Sequence, residues 1–148
     1  MPERFDITYV DSDNEKKRPV MVHRTIFGSM ERFMGILIEH YAGKFPLWLA
    51  PVQATILPIS DKYNDYAYEI KKEMESKGLR ISIDDRAEKI GYKIREARLK
   101  RIPYMLIVGE KEVEDKLVSI NKRDEGDLGQ FKLEEFINKA MEEVENKK

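Results

Sequence analysis

At 148 residues with 41% hydrophobic content, the chain can bury one ordinary core but not a second full domain. Charged residues form 37% of it, yet 27 Lys and Arg nearly cancel 28 Asp and Glu, so overall charge selects no class of partner. The absence of cysteine excludes a disulfide framework, thiolate metal ligands and a thiol nucleophile; no apolar run approaches the ~20 residues of a membrane span, which predicts a soluble, cytoplasmic chain.

Residues 5–10 have the aromatic and β-branched content of a strand, and the polar run 11–18 breaks it as a solvated loop. Residues 20–23 read as a short strand. Beyond Gly28 the period becomes helical, with Met30, Phe33, Met34, Leu37 and Tyr41 on one face, until Ala42-Gly43-Lys44 ends it. The additional Ile36 and Ile38 predict a helix buried on more than one side. Pro46 and Pro51 enclose Leu47-Trp48-Leu49 as a stiff apolar connector, which places a domain boundary there and divides the chain into 1–48 and 49–148.

The second part alternates between the two periods. Residues 52–59 read as a strand, 61–77 as a helix ended by Gly78, 79–83 as a strand, and 88–100 as a helix with Ile90, Ile94 and Ala97 on its apolar face. Pro103 cannot continue that helix. Residues 104–108 form an apolar run suited to a central strand covered on both faces; 117–121 read as a shorter strand and 133–144 as an amphipathic helix. This order predicts an α/β fold with a parallel or mixed sheet and helices on its faces.

Three segments have chemical potential. In His23-Arg24-Thr25-Ile26-Phe27-Gly28-Ser29-Met30-Glu31-Arg32-Phe33, a glycine and a helix start bring an arginine to a first turn, where backbone N–H groups favour anions, although a plain structural turn explains the pattern more simply. Residues 86–101 carry Arg86, Lys89, Lys93, Arg95, Arg98, Lys100 and Arg101 against only Glu88 and Glu96. Such a face, with Tyr92 as a stacking surface, suits a nucleic-acid backbone and equally a solvated helix face. The acidic run 109–115 fits an exposed hairpin turn, or a carboxylate that accepts from the Watson–Crick edge of guanine. His23 and His40 are the only histidines; no Ser-His-Asp set, carboxylate pair or phosphate-binding glycine loop stands out.

Residues 18–53, from Arg18-Pro-Val-Met-Val-His-Arg-Thr25 to Leu49-Ala-Pro-Val-Gln53 with Gly28-Ser-Met-Glu-Arg-Phe33 between them, resemble the bacterial threonyl-tRNA synthetase family from its third class II signature onward. The resemblance continues through Glu88-Lys-Ile-Gly-Tyr-Lys-Ile-Arg-Glu96, Arg101-Ile-Pro-Tyr-Met-Leu-Ile-Val-Gly109 and Asp127-Leu-Gly129. It implies a C-terminal remnant of the catalytic domain followed by an anticodon-binding domain, a mixed five-stranded sheet flanked by helices. It also implies that His23 corresponds to a zinc ligand, with Arg32 and Ser29 in the ATP site of the full-length ligase. The other two zinc ligands and the first two class II signatures lie upstream in the family, so the chain alone is expected to be inactive and to bind neither zinc nor ATP with magnesium.

The resemblance assigns Glu112 to base reading, foremost the middle guanine of threonine anticodons. Glu88, Lys89 and Arg95 go to the anticodon-loop surface, with Asn121, where many relatives carry arginine, and Arg123 as further candidates. The expected partner is threonine tRNA, the expected state a monomer for this chain and a homodimer for the full-length enzyme. A free-standing RNA-binding or subunit-adaptor module reusing the fold, or a piece completing a synthetase in trans, are the alternatives.

Overall fold

The computed structural model describes residues 1–147. Its contacts divide it into two units, Met1–Ile36 and Leu37–Lys148. In the first, β1 (Tyr9–Val10) pairs antiparallel with β2 (Lys16–Lys17) in a two-stranded hairpin. The strand expected over 5–10 is thus reduced to its last two residues, and the loop expected over 11–18 contributes the partner. The Arg18 guanidinium reaches back to Asp6 at 2.9 Å and to the Pro2 carbonyl at 3.2 Å, closing the N-terminal turn. Residues 20–23 form no strand; they are exposed and, among the described residues, pair with no other strand.

Helix α1 (Met30–His40) occupies the expected place. It is not buried on more than one side, because none of its residues is buried, and Met30, Met34, Ile36 and Ile38 are exposed. An apolar period marks a face able to pack, and whether anything lies against that face is a tertiary matter.

In the second unit, β3 (Ala54–Pro58), β4 (Ile81–Ile83), β5 (Tyr104–Val108), β6 (Leu117–Lys122) and β7 (Gly126–Lys132) form one sheet in the order β4-β3-β5-β6-β7. The first three strands are parallel, and β6 and β7 continue antiparallel. This is the expected mixed five-stranded sheet. A 3-10 turn (Asp61–Tyr63) leads into α2 (Asn64–Ser76), which ends at Gly78, whose φ of +87° is readily reached only without a Cβ. The remaining helices are α3 (Ile90–Leu99), α4 (Glu110–Asp115) and α5 (Leu133–Glu145).

Side chains alternate across the sheet. One face presents Ala54, Ile56, Tyr104, Leu106, Val108, Val118 and Ile120 to Ala67, Ile70 and Met74 of α2 and Phe136, Ile137 and Ala140 of α5. On the other face Leu57 and Met105 meet Ala97 of α3, with Ile102, and with Ile90 and Ile94 partly buried around them. Because α3 covers only part of this second face, Ile107, Ser119 and Asn121 stay half-buried and Gln130 exposed. That uncovered stretch is where the chemistry gathers. The connector ahead of β3 is tied to the sheet: Gln53 joins the Leu47 carbonyl at 2.9 Å to the Arg80 amide at 2.8 Å, and Arg80 bonds the Ala50 and Trp48 carbonyls.

Candidate nucleic-acid interface

The acidic run 109–115 is not a hairpin turn but the helix α4, set between β5 and β6 and entered from Gly109. Glu112, in its first turn, is only 8% exposed. Its Oε2 accepts the Gly109 N–H at 3.0 Å, so the side chain caps its own helix. Its Oε1 accepts Ser119 Oγ on β6 and Gln130 Nε2 on β7, both at 2.8 Å. Burial opposes ionisation, but the hydroxyl, the amide and the backbone N–H groups of Glu112 and Gly109 outweigh it and hold the carboxyl below its ordinary range. The result is an anion of fixed orientation at the uncovered sheet face.

Asn121 lies two residues beyond Ser119 on β6 and therefore on the same face. Glu112 and Asn121 are thus brought onto one surface. Asn121 also lines a cavity of about 460 Å³ with Arg98, Leu99, Arg101, Met105 and Arg123. Arg123 is fastened to backbone instead, donating to the Arg101 carbonyl at 2.7 Å and the Phe45 carbonyl at 2.8 Å.

Glu88 and Lys89 are exposed immediately before α3, with Lys89 extended at φ −61° and ψ 137°, and Arg95 is exposed on the helix. The basic patch is smaller than the sequence indicates. Arg86 is spent on Asp84 and Glu96, which raise its already high pKa further, and lies 5.8 Å from the Tyr92 ring centre. Lys93 is 2% exposed, and its Nζ donates to the Pro58 carbonyl at 3.0 Å. Among the described residues, Lys89, Arg95, Arg98, Lys100 and Arg101 make no ion pair.

In the other unit, Ser29 receives the Arg32 backbone N–H on its hydroxyl at 3.3 Å and donates to Glu31 at 2.7 Å, which makes it a cap for the first turn of α1. Arg32 is exposed. His23 is exposed as well, and among the described residues no group of three or more His, Cys, Asp or Glu is placed to hold a metal ion. The residues present therefore do not furnish a zinc site. No helix among them is long and apolar enough to cross a membrane.

Ser119 and Gln130, which hold Glu112, were not singled out by sequence reasoning. The one available signal is that Ser119 is the polar member between the buried Val118 and Ile120.

A carboxylate on a partly uncovered sheet face, beside a helix whose exposed cations make no ion pair among the described residues, puts a hydrogen-bond acceptor and positive charge on one surface. Residues 53–143 match the family described as an anticodon binding domain, and residues 1–41 match the class II tRNA synthetase core domain for G, H, P, S and T. The chain belongs to the anticodon-binding domain family. Its curated relatives are threonine–tRNA ligases: it is 62% identical over 148 residues to that of Finegoldia magna and 63% identical over 147 residues to that of Clostridioides difficile. The first alignment covers 100% and the second 99% of this chain, but each covers only 23% of the relative, and the matching part is C-terminal. A crystal structure of the RNA binding domain of threonyl-tRNA synthetase from Cryptosporidium parvum is 39% identical, with a TM-score of 0.74, over 95% of this chain and 36% of that one.

Proposed function

We propose that this chain reads the anticodon loop of threonine tRNA as the C-terminal part of a threonine–tRNA ligase, with 49–148 as the anticodon-binding domain and 1–48 as the end of the catalytic domain. The observation that carries this reading is the Glu112 carboxylate, hydrogen-bonded in place on the uncovered sheet face of a family member. The guanine Watson–Crick edge offers N1–H and N2–H₂ side by side, as no other base does, and the acceptor position left on Oε2 can take one of them. Asn121 is close enough on the same face to meet a neighbouring base. Lys89 and Arg95, with Glu88 beside them, face the loop backbone, while Arg123 supports the surface from behind. In the full-length cytoplasmic homodimer, ATP with magnesium would meet Arg32 and Ser29, and zinc would take His23 together with ligands from elsewhere in the enzyme.

Binding to a threonine anticodon stem-loop, and to the same stem-loop with the middle G replaced by A, tests the reading. Wild-type protein should prefer G, and Glu112→Ala should lose that preference by about 1–3 kcal/mol. Equal binding of both loops by the wild type would end the proposal. Lys89→Ala should weaken both loops alike and lower the slope of log K against log salt by about 0.7, the single-strand value for one phosphate. An unchanged slope would remove Lys89 from the interface.

A further inference from the structure

An ionised carboxylate has about four acceptor positions. Hydrogen bonds from other residues fill three of those on Glu112, two on Oε1 from Ser119 Oγ and Gln130 Nε2 and one on Oε2 from the Gly109 N–H. Ser119 and Gln130 are directly paired across β6 and β7, so both Oε1 donors come from one rung of the sheet. These are the only side-chain hydrogen bonds that either residue makes among the described residues. Neither belongs to an apolar core. Their side chains are therefore committed to Glu112 and not to an apolar core.

A glutamate on a six-residue helix has three side-chain torsions and no intrinsic reason to hold one direction. Backbone capping by Gly109 fixes one oxygen, and the rung of Ser119 and Gln130 fixes the other, which sets the plane of the carboxylate. Base recognition depends on that plane, since a carboxylate turned out of the plane of the base makes poor hydrogen bonds to its edge.

Resting on the reading of Glu112 as the base-reading group, we propose that Ser119 and Gln130 are positioning residues for it: a hydroxyl and an amide from one cross-strand rung orient the carboxylate that distinguishes the middle guanine. They act through Glu112 and need not touch the RNA. Because Gln130 is exposed and Ser119 half-buried, replacing them leaves the packed faces of the sheet intact.

The test compares wild type, Ser119→Ala, Ser119→Thr, Gln130→Met and Glu112→Ala, each titrated with the middle-G and middle-A stem-loops over a salt series, with thermal melts as the fold control. Ser119→Ala and Gln130→Met, which keep the approximate shape but remove a donor to a charged acceptor, should each reduce the G preference about three- to tenfold. Ser119→Thr retains the hydroxyl and should retain the preference. The salt slope should stay at the wild-type value in all of them, because no phosphate contact is lost. If Glu112→Ala loses the preference while Ser119→Ala and Gln130→Met keep it, the positioning role fails and base reading stands. If Glu112→Ala keeps it, both fall. Equal weakening of both loops by Ser119→Ala and Gln130→Met would also overturn the proposal, reducing the pair to general support.

Discussion

Burial by itself would raise the Glu112 carboxyl, and the donors from Ser119, Gln130 and the backbone reverse that effect. A carboxyl depressed in the folded state adds stability above its ordinary range near ~4.3, and that stability is lost as pH falls through the lower folded-state value. Unfolding free energy should therefore decline as pH drops below about 5, and Glu112→Gln should decline less steeply, the two curves converging at the acid end. Parallel curves in denaturant titrations would show that the carboxylate is not coupled to folding. Asp84 and Asp124, held low by hydrogen bonds from Arg86 and Lys44, leave a residual slope in both proteins. Lys93 illustrates what was legible and overlooked: it stands three residues from Ile90 and four from Ala97, so the helical period itself places it on the apolar face. Its charge made it resemble part of the exposed basic patch, yet its ammonium ends on a backbone carbonyl under the helix.

Among the elements, the long periodic ones were readable and the short polar ones were not. Helices α2, α3 and α5 each repeat an apolar face over ten or more residues, whereas α4 has six residues with Val113 as its lone apolar side chain. Its helical state follows from its placement between two paired strands and from the Glu112 cap. Gly109 sets the entry: a Cβ there would stand 2.7 Å from Ile59 Cδ1 and 3.1 Å from Glu112 Oε2. The exposed Ile59 side chain takes most of the displacement, and the Glu112 carboxylate has to give by a few tenths of an ångström, enough to disturb its orientation. Gly109→Ala should thus lower the middle-G preference while costing stability only about 1 kcal/mol, read from paired binding and melting experiments. Large destabilisation with intact preference would contradict this. Strand β7 escaped the residue-level reading because Leu128 and Phe131 are its only apolar residues and Gly129, at φ +90°, sits beside the register shift opposite Ile120 and Asn121. Family resemblance supplied that fifth strand where periodicity did not.

At the scale of the whole molecule, every residue of both apolar clusters lies between Leu47 and Val144. The second unit consequently holds its own core, and a chain beginning at Leu37 should keep a cooperative unfolding transition and the same stem-loop preference. Loss of cooperativity in urea on removing 1–36 would show that the core depends on the first unit. From the sequence by itself came the alternation of strands and helices from residue 52 onward, the central strand at 104–108, the basic helix and, through its motifs, the family. These are local or pattern properties, written in side-chain period and type. Tertiary structure alone decided that no residue of α1 is buried, that Arg86 and Arg123 are committed to protein partners, and that Ser119 and Gln130 converge on Glu112. Those outcomes depend on which segments, far apart in the chain, are brought together by strand order and register, and no local pattern encodes that pairing.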